Sequence, residues 1–287
     1  MNATGMRIDA HVHVWDRSRS SYEWLDGQIG QLGRNFSAGE AEHELRESGI
    51  DGAVLVQADD TERESDYLLE VAHANGWVRG VVGWIPLDEP GTAESRLEQR
   101  LHDPLFRGVR QLIHDDPRPD VLGLPAVRTS LALVAAAGLP FDVPNAWPRH
   151  LQATIDLAKD MPGLMIVLDH LGKPPRSVRH GQAGQYEQWL RGIVALAELP
   201  NTVAKLSGLR VPGVEYSAAA LRPTWDHALE LFGAERLMYG GDWPMTVPDG
   251  GYAPTLAVLD ELSAELSHDE QRQIFADTAL RVYDLTR

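Results

Sequence analysis

Short apolar runs rich in branched side chains alternate along the chain with longer segments whose apolar positions return every three or four residues. The runs cover residues 7–12, 52–57, 81–85, 108–112, 139–143, 165–169, 202–206 and 237–241. Helical spacing fills residues 62–75. It recurs through Leu131, Val134, Ala135 and Gly138, and again through Leu221, Trp225, Leu229 and Phe232. Eight strand candidates, seven of them parted by helix-sized segments, predict parallel βα units. Continuous apolar strands suit a sheet buried on both faces. The count and spacing predict an α/β fold, a (β/α)8 TIM-type barrel. An open doubly wound sheet is the alternative. It usually places a glycine-rich phosphate loop after the first strand, where this chain has Asp9-Ala10-His11-Val12-His13. No low-complexity stretch, charge block or linker divides the sequence, so one domain is expected over residues 1–287.

Composition narrows the setting. Apolar residues at 43% and charged residues at 24% exclude disorder, coiled coil and collagen. No apolar run approaches the ~18–20 residues of a membrane span. Met1-Asn2-Ala3-Thr4-Gly5-Met6-Arg7 has no signal-peptide stretch, so the chain reads as cytoplasmic. The absence of cysteine removes disulfides, thiol nucleophiles, thiolate zinc sites and Fe–S clusters. Any metal must therefore rest on histidine and carboxylate. A formal charge of −16 argues against a nucleic-acid surface or a basic membrane patch. A small-molecule substrate is the expected partner, with the chain a monomer or small homo-oligomer.

In such a barrel the chemistry lies at the C-terminal ends of the strands. Those ends read His11-Val12-His13, Gln57-Ala58-Asp59, Trp84, Arg110-Gln111, Asp142, Asp169-His170, Lys205-Leu206-Ser207 and Gly240-Gly241-Asp242-Trp243. His11 and His13, two apart on a strand, leave the same face. Asp9 is expected on that face too, with Ile8, Ala10 and Val12 turned toward the helices. Two converging imidazoles suit zinc or a similar divalent ion, although such pairs also occur on exposed loops. His170 and Asp242 would complete the ligand set of a hydrolytic metal centre. Asp242 could equally deprotonate water. Taken singly, Asp242 could be a helix N-cap ahead of Pro244, and His170 a buried hydrogen-bonded ring. Four such residues at three strand ends favour chemistry.

Lys173 and Lys205 could bind a carboxylate or hydroxyl-rich substrate, or polarise a carbonyl. Lys173 in Gly172-Lys173-Pro174-Pro175 could instead be a solvated loop residue. Lys205 follows an apolar strand, where an interior lysine needs a partner. Arg110 inside a strand needs an anion: substrate carboxylate, Asp115 or Asp142. The long connection 16–39 carries Tyr22, Trp24, Leu25 and Phe36, which suggests a lid or a satellite hydrophobic cluster. With Trp15 and Trp243 near the same mouth, aromatic faces could line a sugar-like ring. The C-terminal Ile274, Phe275, Ala279, Val282 and Tyr283 read as ordinary helix packing.

These motifs resemble the amidohydrolase superfamily, in its branch of sugar-lactone hydrolases. The resemblance spans nearly the whole chain. It rests on Ile8-Asp9-Ala10-His11-Val12-His13-Val14-Trp15-Asp16, Tyr22-Glu23-Trp24-Leu25, Val56-Gln57 and Gly108-Val109-Arg110. It continues through Pro148-Arg149-His150-Leu151, Leu168-Asp169-His170-Leu171-Gly172-Lys173-Pro174, Lys205-Leu206-Ser207-Gly208-Leu209 and Gly241-Asp242-Trp243-Pro244. It implies a distorted barrel that hydrolyses sugar lactones. His11, His13, His170 and Asp242 would be the metal-site residues, and Asp242 with His170 the catalytic pair. Trp15, Trp24, Gln57, Arg110, Lys173, Lys205 and Trp243 would contact substrate. The expected cofactor is a divalent ion, zinc first and manganese second, which some relatives dispense with.

The chain departs from the superfamily pattern in three places. The fifth strand end, Phe141-Asp142-Val143-Pro144-Asn145, has no histidine. Gln111 stands where a histidine commonly follows the Gly-Val-Arg arginine, and Gly241 stands where serine is usual. The alternatives are a metal-dependent decarboxylase or hydratase of an aromatic or unsaturated acid, and a non-catalytic sugar-acid binder. A dianionic pyrone-type lactone would require several convergent arginines, drawn from Arg110, Arg149 and Arg210.

Overall fold

Every apolar run of the sequence forms a strand, and the strands pair in chain order. The computed structural model describes residues 5–26, 30–175, 183–211 and 213–285. The strands are β1 (Ile8–Val12), β2 (Gly52–Val56), β3 (Val78–Gly83), β4 (Phe106–Arg110), β5 (Phe141–Val143), β6 (Ile166–Leu168), β7 (Thr202–Leu206) and β8 (Leu237–Tyr239). All neighbouring pairs are parallel. Helices α1 (Ala38–Glu47), α2 (Glu62–Ala74), α3 (Pro90–Arg100), α4 (Pro125–Ala136), α5 (Leu151–Asp160), α6 (Ala183–Ala197), α7 (Ala218–Phe232) and α8 (Tyr252–Ser263) follow the strands in turn. A π-helical turn, Gln273–Asp277, links α9 (His268–Arg272) to α10 (Thr278–Val282). This is a (β/α)8 barrel, and the open doubly wound alternative does not apply. The barrel nearly closes between β8 and β1, where His13 N donates to Trp243 O (2.7 Å) and Asp242 N to His11 O (2.8 Å).

Strands β3 and β4 begin earlier than the expected 81 and 108. Each opens on an apolar residue followed by arginine and glycine, Val78-Arg79-Gly80 and Phe106-Arg107-Gly108. The backbone ladder continues through residues whose side chains break the apolar run. Strand β6 stops at Leu168 because the chain then enters a left-handed turn.

Side chains of the barrel interior and of the outer layer form separate clusters. Most of the buried apolar residues pack between sheet and helices. The second cluster fills the lower barrel with Ile8, Ala10, Val54, Val56, Val82, Val167, Val203 and Met238, closed from below by Ala276, Ala279, Tyr283 and Leu285. Strand β1 therefore departs from the simple alternation. A register shift lies between Asp9 and Val12, as a β-bulge produces. It lets Ala10 join the interior ahead of His11, while Asp9 turns outward to accept from Tyr252 Oη (2.6 Å). Asp9 also accepts from Gly241 N (2.8 Å) and His11 N (2.9 Å), so it braces the bulge instead of entering the site. Gly241 has no room for a side chain, because a Cβ there would lie 2.3 Å from the Tyr252 ring and 2.5 Å from Asp9 Oδ2.

Candidate active site

The site sits at the C-terminal end of the barrel, and unusual backbone places its key groups. From His170 to Lys173 four consecutive residues have positive φ: 58°, 50°, 71° and 67°. Each non-glycine residue there costs roughly 1–2 kcal/mol. Trp189 Nε1 donating to Leu171 O (2.8 Å) and Trp147 N donating to Gly172 O (2.8 Å) hold the turn. The turn points the His170 ring and the Lys173 side chain into a cavity of about 270 Å³. Asp242 also has positive φ (53°), with Met245 N on its carbonyl (2.9 Å). It caps no helix; its carboxylate faces the imidazoles. Gly208 (φ 53°) lets the backbone pass beside this group, since a Cβ would lie 2.4 Å from His170 Nδ1 and 2.8 Å from Asp242 Oδ2.

His11 and His13 converge, with their Nε2 atoms 3.1 Å apart. Asp242 Oδ1 lies 3.8 Å from His11 Nε2 and 3.6 Å from His13 Nε2. Tetrahedral ligands ~2.1 Å from zinc stand roughly 3.4 Å from one another, so these separations bracket the requirement. His13 Nδ1 donates to Val56 O (2.7 Å), leaving the Nε2 lone pair directed at the site. Such an outer hydrogen bond orients a metal-binding imidazole. A second group, His11, Asp169 and His170, is also close enough to hold an ion. Its carboxylate, however, is committed to Arg110 Nε (2.8 Å) and Lys205 Nζ (3.0 Å). His170 belongs to this second group, its ring 4.7 Å from that of His11.

Burial governs the charges. It holds His170 down to about 4, against the pull of Asp242 and Asp169, so the ring is neutral at pH 7. His170 Nδ1 pairs with Ser207 Oγ (2.8 Å). Burial pushes the Asp242 carboxyl up, but His170, His13 and His11 outweigh it, and the group stays ionised well below the usual carboxylate range. Burial and the nearby Lys205 keep His11 neutral although Asp169 pulls the other way.

The cavity wall consists of His13, Trp24, Ala58, Arg110, Leu112, His114, Asp115, Asn145, His170, Lys173, Asp242 and Met245. Lys173 is not a solvated loop residue; its Nζ donates to Gly208 O (2.8 Å) at the cavity edge. Arg110 finds its anion in Asp169, not in Asp115 or Asp142, and its Nη1 donates to Gln57 O (2.8 Å). Of Arg110, Arg149 and Arg210, only Arg110 lines the cavity. Lys205 lies beneath it, fully buried, with Nζ 2.6 Å from Asp142 Oδ2 and 3.0 Å from Asp169 Oδ1. Gln57 also stands behind the wall, donating to Asp60 Oδ1 (2.9 Å) and Arg110 O (3.0 Å).

Trp15 and Trp243 are buried behind the wall as well. Trp15 packs against Tyr22, Trp24 and Phe36, and Phe36 against Trp243. The described part of the 16–39 connection is thus a packed aromatic cluster from which Trp24 alone reaches the cavity; residues 27–29 lie outside the described ones. Asp59 accepts from Ser20 Oγ (2.6 Å) and Tyr22 N (3.1 Å), while Trp24 Nε1 donates to Ala58 O (2.6 Å). These bonds fasten the segment to the loop after β2.

Sequence reasoning passed over His114, Asp115, Asn145 and Met245 as wall residues, and Asp169 as the anion under Arg110. Their signal was position in the stretches just after β4, β5, β6 and β8. Burial lowers His114 to about 4 from the ordinary 6.5. Between those values the unfolded chain takes up a proton that the folded chain refuses, so this group's stabilising contribution is present above pH 6.5 and is lost toward pH 4. His114→Gln should therefore gain thermal stability on the native chain as pH falls from about 6.5 to 4.5. Parallel melting midpoints for the two proteins across that range would refute this.

The sequence profile of the family described as Amidohydrolase matches residues 8–285. The chain belongs to the amidohydrolase family. This amidohydrolase is 32% identical over 286 residues to an L-fucono-1,5-lactonase of Burkholderia ambifaria, covering 98% of the chain and 96% of the relative. It is 25% identical to an L-rhamnono-gamma-lactonase of Scheffersomyces stipitis, over 70% of the chain and 67% of the relative. A crystal structure of an amidohydrolase from Burkholderia multivorans with bound zinc superposes with a TM-score of 0.86 at 27% identity, covering 98% of this chain and 100% of that one. No helix among the described residues is long and apolar enough to cross a membrane.

Proposed function

We propose that this amidohydrolase opens a sugar-derived lactone to its sugar acid by hydrolysis. The observation that carries the reading is an ionised, buried Asp242 beside the paired Nε2 atoms of His11 and His13 and a neutral His170. The likeness to lactonases supplies the substrate class. Asp242 takes one proton from water as its oxygen attacks the lactone carbonyl carbon. The carbonyl π electrons move onto oxygen, and His170 donates a hydrogen bond to that oxyanion through Nε2. Donation requires the proton on Nε2, so Ser207 Oγ donates to Nδ1. The tetrahedral species then collapses and the ring C–O bond breaks. Asp242 returns its proton to the departing ring oxygen, leaving a hydroxy acid. Lys173 lies where it can balance the new carboxylate, and Trp24 and Met245 offer apolar wall.

His11, His13 and Asp242 would hold a divalent ion, zinc by ligand type, which when bound polarises the carbonyl as a Lewis acid. Acid release from a panel of aldonolactones, including L-fucono-1,5-lactone and L-rhamnono-1,4-lactone, tests the reading. The protein is assayed as purified, after chelation, and after restoring zinc or manganese. Turnover above the spontaneous rate is expected, with loss on chelation and recovery with metal. Silence in every condition would sink the lactonase reading in favour of an acid decarboxylase or a binding protein. Full activity after complete chelation would remove the metal alone.

A further inference from the structure

The C-terminal turn enters the barrel from the end opposite the cavity. There Ala276, Ala279 and Leu285 would suffice as an apolar plug. Tyr283 sits among them, yet its phenol is 1% exposed and donates to Asp142 Oδ2 (2.7 Å), 141 residues away in sequence. The same carboxylate oxygen accepts from Lys205 Nζ (2.6 Å), and the ammonium lies 5.3 Å from the Tyr283 ring centroid. Lys205 Nζ in turn stands 3.1 Å from His11 Nδ1 and 3.0 Å from Asp169 Oδ1. Asp169 is also 3.3 Å from His11 Nδ1 and is gripped by Arg110. Removing this polar chain from water is costly unless every member is held by the next. The chain ends on the inner nitrogen of an imidazole whose outer nitrogen faces the site.

We propose that Tyr283 is a positioning residue for the active site, acting through Asp142 and Lys205 on the ring of His11. The phenol shares the negative charge on Asp142. Without it, Asp142 draws the Lys205 ammonium toward itself, and His11 Nδ1 loses a contact that fixes its ring. The fifth strand, which has no histidine at its end, carries Asp142, and on this account that carboxylate serves as the link between the tail and the site. The term active site rests on the lactonase reading; the effect on the His11 ring does not.

Tyr283→Phe keeps the ring and removes only the hydroxyl. Leu285→Ala loosens the same plug without touching the polar chain. Imidazole ¹⁵N spectra of histidine-labelled protein, with His11 assigned through His11→Gln, read the ring directly, and melting curves read stability. Tyr283→Phe should displace the His11 ring resonances, whereas Leu285→Ala should lower the melting midpoint and leave them in place. His11 resonances unchanged in Tyr283→Phe would overturn the proposal, as would an equal displacement in Leu285→Ala. Absence of lactone turnover would leave this spectroscopic result standing and would bear only on the function.

Discussion

Asp242→Asn lowers kcat for lactone opening by about 10²–10⁴-fold, the range for losing a positioned general base. The amide matches the carboxylate in shape, so the positive φ and the contacts Asp242 N to His11 O and Met245 N to Asp242 O persist. What disappears is the proton acceptor of the proposed mechanism. His170 cannot replace it, because a neutral ring donating from Nε2 to the oxyanion has no free lone pair there. The charge facing His11 and His13 also falls by one, so zinc binding weakens while the fold is retained. Steady-state rates at pH 7, circular dichroism and zinc titration check the three statements separately. A folded Asp242→Asn protein within threefold of native kcat would mean that another group takes the proton.

Lys205→Met costs about 3–5 kcal/mol of stability, as removing one partner of a buried ion cluster does. For a chain of this size that is a fall of roughly 10 °C in melting midpoint. Methionine fills much of the volume, so the loss comes from charge. Asp142 and Asp169, both fully buried, lose their shared cation. Burial already lifts Asp142 to about 6, with Lys205 holding it down and Asp169 pushing it further up. Adding Asp142→Asn to Lys205→Met should therefore recover part of the loss, since one carboxylate no longer needs a counter-charge. Thermal melts of the two variants at neutral pH decide it. A fall under 2 °C in Lys205→Met would show that the cluster contributes little net stability.

The two effects differ in how far the sequence announced them. Asp242 stands at a strand end beside a Gly-Asp-Trp-Pro motif, and its pairing with the His11–His13 doublet follows from strand order once eight βα units are counted. Lys205 also stands at a strand end, and an interior lysine needing a partner was legible there. Its partners were not. Asp142 lies in strand β5 and Asp169 just after strand β6, and neighbouring strands bring together residues that no local pattern links. Arg110 makes the same point, for Asp169 is 59 residues away. Trp15, Trp24 and Trp243 illustrate the limit for aromatic residues. All three read equally as cavity walls, and only packing against Phe36 and Tyr22 decides that Trp24 faces the cavity and the other two face the core.

The sequence by itself determined the barrel, the strand ends and the residue types gathered there. Strand periodicity, helix spacing and the requirement that polar residues avoid an apolar sheet are local or nearly local rules. Tertiary structure decided orientation. The β1 bulge turned Asp9 outward, against strict alternation. The left-handed turn at 170–173 and the positive φ of Asp242 aimed side chains by paths that only long-range hydrogen bonds sustain. The Tyr283 phenol reached Asp142 because the C-terminal segment folds back under the barrel. Each of these depends on contacts between residues far apart in the chain, whose free energies exist only once the barrel has closed.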